Sequence, residues 1–553
     1  MPTTGDRHAT QTAIGALNHD VLLTIFHWYR LANTTDGFDR GWNLERWWYK
    51  PIQVCRTWRL LILAAPTRLD LHLVCTYGTP VTAMLTHSPP LPLIIYYPGR
   101  LGDATGKDEE DVLFALQHRE RVRRIHIRAP GASLPGLINA MDGEYPLLQR
   151  LVIRSHTEKR RATTGAGVEL PAKLQAPLLR RLTLSDVRLP ATSSGLLRRA
   201  EGLVTLELQD IADTPEVHPA HLVAQLARMT QLERLVVHFR TALPNRAVER
   251  MLSRARTTTR AVLPRLKLLS FRGGSAYLEG VLARISAPAL QTLFVDFFAQ
   301  LTFDLPCLAR FIRAAQAQPS SAEVDGSRGG VRFQFHAAEL HFDAENACML
   351  LDSRATGWGH AGGVRTNAVQ LRVSCRTLDW QLAALAQICG ALAALFARVE
   401  GLTLGLHIPS PSLDDANSDS KAEADSDSEA ETDSDPDAEA DSDSDAEAGS
   451  VPVPVPGADL GSGLDSDSDS DRAQWHPLLR AFEGTKTLQL TGPRAQHLLR
   501  SLLPLPAELL PALQELLPGD DDGGSGAAEG ALAAFAVDRE AAGCPVRVVR
   551  DWW

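Results

Sequence analysis

One short apolar pattern recurs along most of the chain. LxxLxL, or a near variant, stands at residues 122–127 (VRRIHI), 148–153 (LQRLVI), 179–184 (LRRLTL), 203–208 (LVTLEL), 232–237 (LERLVV), 266–271 (LKLLSF) and 290–295 (LQTLFV). Successive starts lie 26, 31, 24, 29, 34 and 24 residues apart. Weaker copies follow: AELHF from Ala338, VQLRV from Val369, LTLGL from Leu402 and KTLQL from Lys486. The last two apolar residues of a unit alternate with period two, which predicts a short strand with one face inward. Segments between units, such as HLVAQLARM at 221–229, repeat apolar residues at helical spacing and predict helices returning along the outside. No unit buries enough surface alone, so neighbours stack with their strands side by side along a concave wall.

This spacing falls at the upper end of the roughly 20–29 residues of leucine-rich repeats. The alternative, ordinary βα units in a doubly wound sheet, is disfavoured because no nucleotide-binding loop stands among the strands. The expected fold class is therefore α/β, a curved leucine-rich-repeat-like solenoid. The repeats are degenerate. Where an Asn or Cys would follow LxxLxLxx and satisfy the turn backbone, Val187 and Ile211 stand instead, so the turns need other hydrogen-bond partners.

Two further helical stretches precede the repeats: LNHDVLLTIF at 17–26 and VCRTWRLL at 54–61. In the first, Leu17, Val21, Ile25 and Trp28 form one apolar stripe, and Leu22, Phe26 and Tyr29 a second. A surface helix needs only one such face. Asn18 suits the N-cap, and Asp20 the first turn, where the helix dipole favours negative charge. In the second stretch Val54, Trp58 and Leu61 recur at helical spacing, with Pro51 suited to the first turn. The surplus of apolar surface predicts a partner site. A third apolar run, residues 382–397, is broken only by Gln387. It is shorter than the roughly 20 residues a membrane span needs, so a buried helix and no membrane are expected.

Composition changes the picture in one segment. The 553 residues carry a net charge of −10, yet residues 411–471 alone hold 21 Asp and Glu against one Lys. The remainder has 45 acids and 55 bases and is mildly basic. With almost no large apolar residue, 411–472 cannot offset its chain entropy and is expected to be a disordered insertion. Ser426, Ser428, Ser434, Ser442, Ser444, Ser466 and Ser468 each have an acid three residues later, the pattern of an acidophilic kinase site. The arginines of the basic body are spread through the repeats and form no recognisable nucleic-acid-binding module, so nucleic acid is not an expected partner. Seven scattered cysteines without CxxC argue against a disulfide framework or zinc module. The first residues lack a signal-peptide core, and cytoplasm or nucleus is the expected location. GxSxG and HExxH are absent, and GDATGKD (102–108) and GTKT (484–487) do not fit a phosphate loop. His341 and His360 have no ligand-spaced companions. No catalytic residue, cofactor or metal is expected.

The paired motifs resemble the F-box. Leu17, Asp20, Val21, Leu22, Ile25 and Phe26 fit its first half; Val54, Cys55, Arg56 and Trp58 fit its second. The stretch APTRLDLHLVCTYGTPV (65–81), LLRAFEGTKTLQL (478–490) and DREAAGCPVRVV (538–549) resemble parts of F-box proteins abundant in mushroom-forming fungi. Asn18 replaces the usual Pro, and the joint between the halves is long and Trp-rich. The resemblance implies a flexible N-terminus (1–12), an F-box-like helical module (13–66), the solenoid (67–410), the insertion, and last repeats with a cap (473–553). It implies a non-catalytic substrate receptor for ubiquitin-dependent degradation. Leu17, Val21, Ile25, Phe26, Val54, Cys55 and Trp58 would bind a Skp-type adaptor and through it a cullin–RING ligase, and the repeats would hold a protein target. Residues expected on the concave face include Arg181, Thr183, Thr205 and Glu207. The alternative is an interaction scaffold or histone-chaperone-like binder acting through the acidic tract.

Overall fold

A computed structural model describes residues 17–34, 46–97, 106–156, 168–190, 195–211, 218–240, 259–317, 335–352, 368–406, 475–491, 509–518 and 526–549. The expected flexible N-terminus and acidic insertion lie outside the described residues. The strands in chain order are β1 (Leu73–Cys75), β2 (Leu93–Tyr97), β3 (Val122–Pro130), β4 (Arg150–His156), β5 (Val168–Glu169), β6 (Arg181–Ser185) and β7 (Val187–Arg188). There follow β8 (Thr205–Ile211), β9 (Arg234–Phe239), β10 (Ala261–Val262), β11 (Leu268–Gly273), β12 (Ile285–Ser286) and β13 (Thr292–Phe297). The last are β14 (Ala337–Phe342), β15 (Asn346–Asp352), β16 (Ala368–Ser374), β17 (Gly401–Leu406), β18 (Thr487–Thr491), β19 (Glu515–Pro518) and β20 (Arg547–Val548). Sixteen form one mostly parallel sheet in the order β1-β2-β3-β4-β6-β8-β9-β11-β13-β16-β15-β14-β17-β18-β19-β20. β5 with β7, and β10 with β12, make two small parallel ladders.

All seven LxxLxL units and the four weaker copies enter this sheet. In six of them the first leucine (Leu148, Leu179, Leu203, Leu232, Leu266, Leu290) lies two residues ahead of the strand, buried in the core. Its N–H donates to the carbonyl three residues back, at 3.1–3.3 Å. The next residue starts the inter-strand ladder: Gln149 donates to Arg123, Arg180 to Gln149, Val204 to Arg180, Glu233 to Val204, Lys267 to Glu233 and Gln291 to Lys267, at 2.8–2.9 Å. The motif is thus a turn plus a strand, with the turn leucine and two strand residues all buried. Successive parallel strands need crossovers, and the connecting helices pack over one face of the sheet. Burial alternates accordingly along β11, and the other face is open.

The turns solve their hydrogen bonding with aspartate. Asp186 and Asp210, immediately before Val187 and Ile211, adopt left-handed backbone (φ 59° and 52°), which Asp tolerates better than most residues. The Asp186 N–H donates to Gln209 O at 3.0 Å, and its carboxylate pairs with Arg240, whose own N–H donates to Ile211 O.

The succession breaks once. After β13 the chain enters the sheet three places further on as β14, returns antiparallel as β15, and turns again into β16 beside β13. The helix Leu378–Leu392 then crosses to β17, which pairs with β14. This is the apolar run that imitates a membrane span, and residues 378–395 have the length and apolarity for one. Leu382, Leu385, Ile388, Cys389 and Leu392 are buried over the meander. Gln381 is fully buried and donates to Asp343 O (2.9 Å) and Cys375 O (2.7 Å). Gln387 ties the helix to Leu301 O and Phe303 N.

Candidate functional site

Ahead of β1 lies a helical unit: His19–Thr34, two 3₁₀ turns (Trp47–Tyr49 and Pro51–Gln53), Arg56–Ala64 and Pro66–Leu69. Asn18 caps the first helix, its Oδ1 accepting from Asp20 N–H at 3.2 Å. Pro51 opens a separate 3₁₀ turn rather than the next helix. That helix starts at Arg56, because Cys55 is extended (φ −157°, ψ 168°) and its Sγ accepts the Trp58 N–H at 3.4 Å. Cys55 is exposed and acts as a cap.

Of the second stripe of the first helix, Leu22 and Phe26 turn inward, whereas Tyr29 is 40% exposed. Leu22, Leu23 and Phe26 are buried, and the Phe26 ring meets Trp58 edge-on at 4.9 Å. Leu17, Val21, Ile25 and Trp28 face outward at 37%, 46%, 45% and 65% exposure. Val54 and Leu60 are exposed on the same unit. Of the seven residues singled out for adaptor binding, Leu17, Val21, Ile25, Val54 and Cys55 are therefore at the surface. Phe26 is spent on the unit's own core, with Trp58 half-buried against it; stripe periodicity cannot tell which face a neighbouring helix covers.

The unit is locked to the sheet by residues that motif reading passed over. Trp47 and Trp48 are buried, and Trp48 Nε1 donates to His72 O at 3.1 Å. Arg46 Nη2 donates to Val74 O and Thr79 Oγ1, each at 3.1 Å. Asp70, in left-handed backbone (φ 53°), gathers Arg123 at 2.6 Å, Arg30 at 3.2 Å and His72 at 3.6 Å. Burial opposes ionisation of Asp70, but the Arg123 hydrogen bond and the charges of His72, Arg123 and Arg30 hold its pKa below the usual value. Burial pushes the His72 imidazole down to about 4, against the pull of Asp70. The Trp-rich joint was the only signal in the sequence for this lock. One continuous core runs from Leu22 through the sheet to Phe535.

On the open face Thr183 Oγ1 donates to Glu207, which also accepts from Arg234 at 2.8 Å; Arg181 and Thr205 lie in adjacent register. Among the described residues no three His, Cys, Asp or Glu side chains are grouped to hold a metal. In GDATGKD, the helix Gly106–Gln117 takes up the last three residues, and in GTKT Thr485 is buried and Thr487 begins β18. His341 lies 3.9 Å from Glu339, and His360 is outside the described residues. The chain matches no protein-family model and no curated protein sequence.

Proposed function

We propose that this chain is a non-catalytic substrate receptor, an F-box unit followed by an irregular leucine-rich solenoid. The helical unit docks a Skp-type adaptor of a cullin–RING ubiquitin ligase, and the open sheet face holds a protein target. One observation carries the reading: Val21, Ile25 and Trp28 stay outward on a helix whose Leu22, Leu23 and Phe26 already fill the local core. Contiguous apolar surface of this kind marks an interaction site. The lock around Trp48 and Asp70 fits the same reading, since a receptor must hold its target at a fixed distance from the ligase.

The test is a tagged full-length chain expressed in cells and probed for the Skp adaptor and cullin. Ile25→Asp places a charge in the centre of the stripe without touching the core and should abolish capture. Trp58→Ala should weaken it only through loss of folding, visible as a lower melting temperature. If wild type captures neither protein, the scaffold reading gains. In that reading, a chain lacking 411–472 loses a basic client protein that wild type binds.

A further inference from the structure

We propose that the open face of β3, β4 and β6 binds an acidic peptide segment, bearing carboxylates or phosphoserines, independently of adaptor docking. The arginines look dispersed in sequence, but the parallel register brings them together. Arg124 pairs with Arg150 and Arg150 with Arg181, one strand apart each time; Arg128 pairs with Arg154. Strand neighbours stand about 4.8 Å apart, and four residues along a strand separate the two rows by about 13 Å. Five guanidinium groups thus ring a shallow floor made by His126, Val152 and Thr183, which stand in register, with Thr183 donating to Glu207 of β8 at 3.3 Å.

No acid lies on β1, β2, β3, β4 or β6. Among the described residues, Arg128, Arg150, Arg154 and Arg181 have no carboxylate partner, and Arg154 Nε is buried without any hydrogen bond. Three other arginines of the sheet are neutralised: Arg234 by Glu207, Arg272 by Asp296 and, on β3 itself, Arg123 by Asp70. Burial together with the charges of Arg181, Arg124 and Arg154 lowers the Arg150 pKa against an opposing pull from Glu207, so repulsion within the cluster is only partly offset. A fold that keeps such a cluster at a cost in stability is set up for an anion. The row separation equals four residues of an extended chain, which suits acids repeated along a peptide. On one side the floor ends at His126, in register with Val152 and edge-on to Tyr96 at 4.8 Å, a surface on which a base could stack, and oligouridylate is therefore included in the test.

The probe is a short fluorescein-labelled Asp/Glu/Ser peptide, with and without phosphoserine, followed by anisotropy. It is compared with its Asn/Gln counterpart and with oligouridylate. Because 411–471 carries the same chemistry, wild type is measured beside a full-length chain whose 21 acids there are replaced by Asn or Gln. Acidic peptides should bind, more weakly as salt rises, and the neutral peptide should not. Arg150→Ala with Arg181→Ala should weaken binding at least about tenfold. It should not lower the melting temperature or adaptor capture. Lys267→Ala, whose lysine already pairs with Glu233, should stay within about twofold. Absence of binding by both chains, or full binding by the double variant, would overturn the proposal. Tighter, arginine-dependent binding of oligouridylate would overturn it in favour of nucleic acid.

Discussion

Asp70 is where the helical unit, the first strand and β3 are tied together, and replacing it tests whether the tie matters. Its carboxylate holds Arg123 at 2.6 Å and Arg30 at 3.2 Å, with side-chain exposures of 35% for Asp70, 25% for Arg123 and 20% for Arg30. Exposed ion pairs contribute about 0–1 kcal/mol, whereas breaking a buried pair costs about 3–5 kcal/mol. At this exposure Asp70→Asn should cost about 2 kcal/mol, because the amide keeps the shape and the left-handed backbone but loses the charge. Asp70→Ala also loses the side-chain oxygen whose local hydrogen bonding lets Asp and Asn hold left-handed backbone, here φ 53°, worth about 1–2 kcal/mol more. Asp70→Gly should return to near the Asn value. Urea titration of the full chain near neutral pH, followed by the fluorescence of buried Trp47 and Trp48, reads these differences as shifts in midpoint. An Asn variant with the wild-type midpoint would refute the charge lock. An Ala variant no worse than Asn would refute the backbone contribution.

Three further outcomes follow from the same contacts. His72 is neutral when folded down to about pH 4, whereas the unfolded imidazole protonates near pH 6.5. Stability present above that value is therefore lost as pH falls, by about 2 kcal/mol between pH 7 and pH 5; urea midpoints at the two pH values should show it, and His72→Gln should flatten the dependence. Cys55→Ser should keep the cap of the helix Arg56–Ala64 and leave the melting temperature unchanged or higher, while Cys55→Ala should lose about 1 kcal/mol by the same thermal scan. At Gly273 an added β-carbon would come 2.8 Å from Phe271 and 2.9 Å from Phe239. Gly273→Ala should cost about 1–3 kcal/mol in a denaturant titration, since those rings already pack on Tyr277.

The strands are legible in the sequence because turn leucine and strand alternation repeat together, so even the weak copies at Ala338 and Lys486 land on strands. The meander is not legible. Alternation along NACMLLD (β15) is the same for a strand running either way, and direction is decided by the connections. The aspartates at 186 and 210 are loop residues to the eye, and only their left-handed backbone shows why they stand where the usual turn residue is missing. On the first helix both stripes are visible, but which one turns inward depends on Trp58, more than thirty residues away. The arginine rows escape notice for a similar reason: spacings of 26 and 31 residues between Arg124, Arg150 and Arg181 become alignment only through the register.

The outward stripe of the first helix carries the proposed docking. Its direct test is calorimetric titration of the purified full-length chain with purified Skp-type adaptor, wild type against Val21→Asp and Ile25→Asp. Wild type should bind saturably, and each variant should bind about 2 kcal/mol or more weaker with an unchanged melting temperature. Wild type that releases no heat and forms no complex, or variants that bind as well as wild type, would contradict the docking.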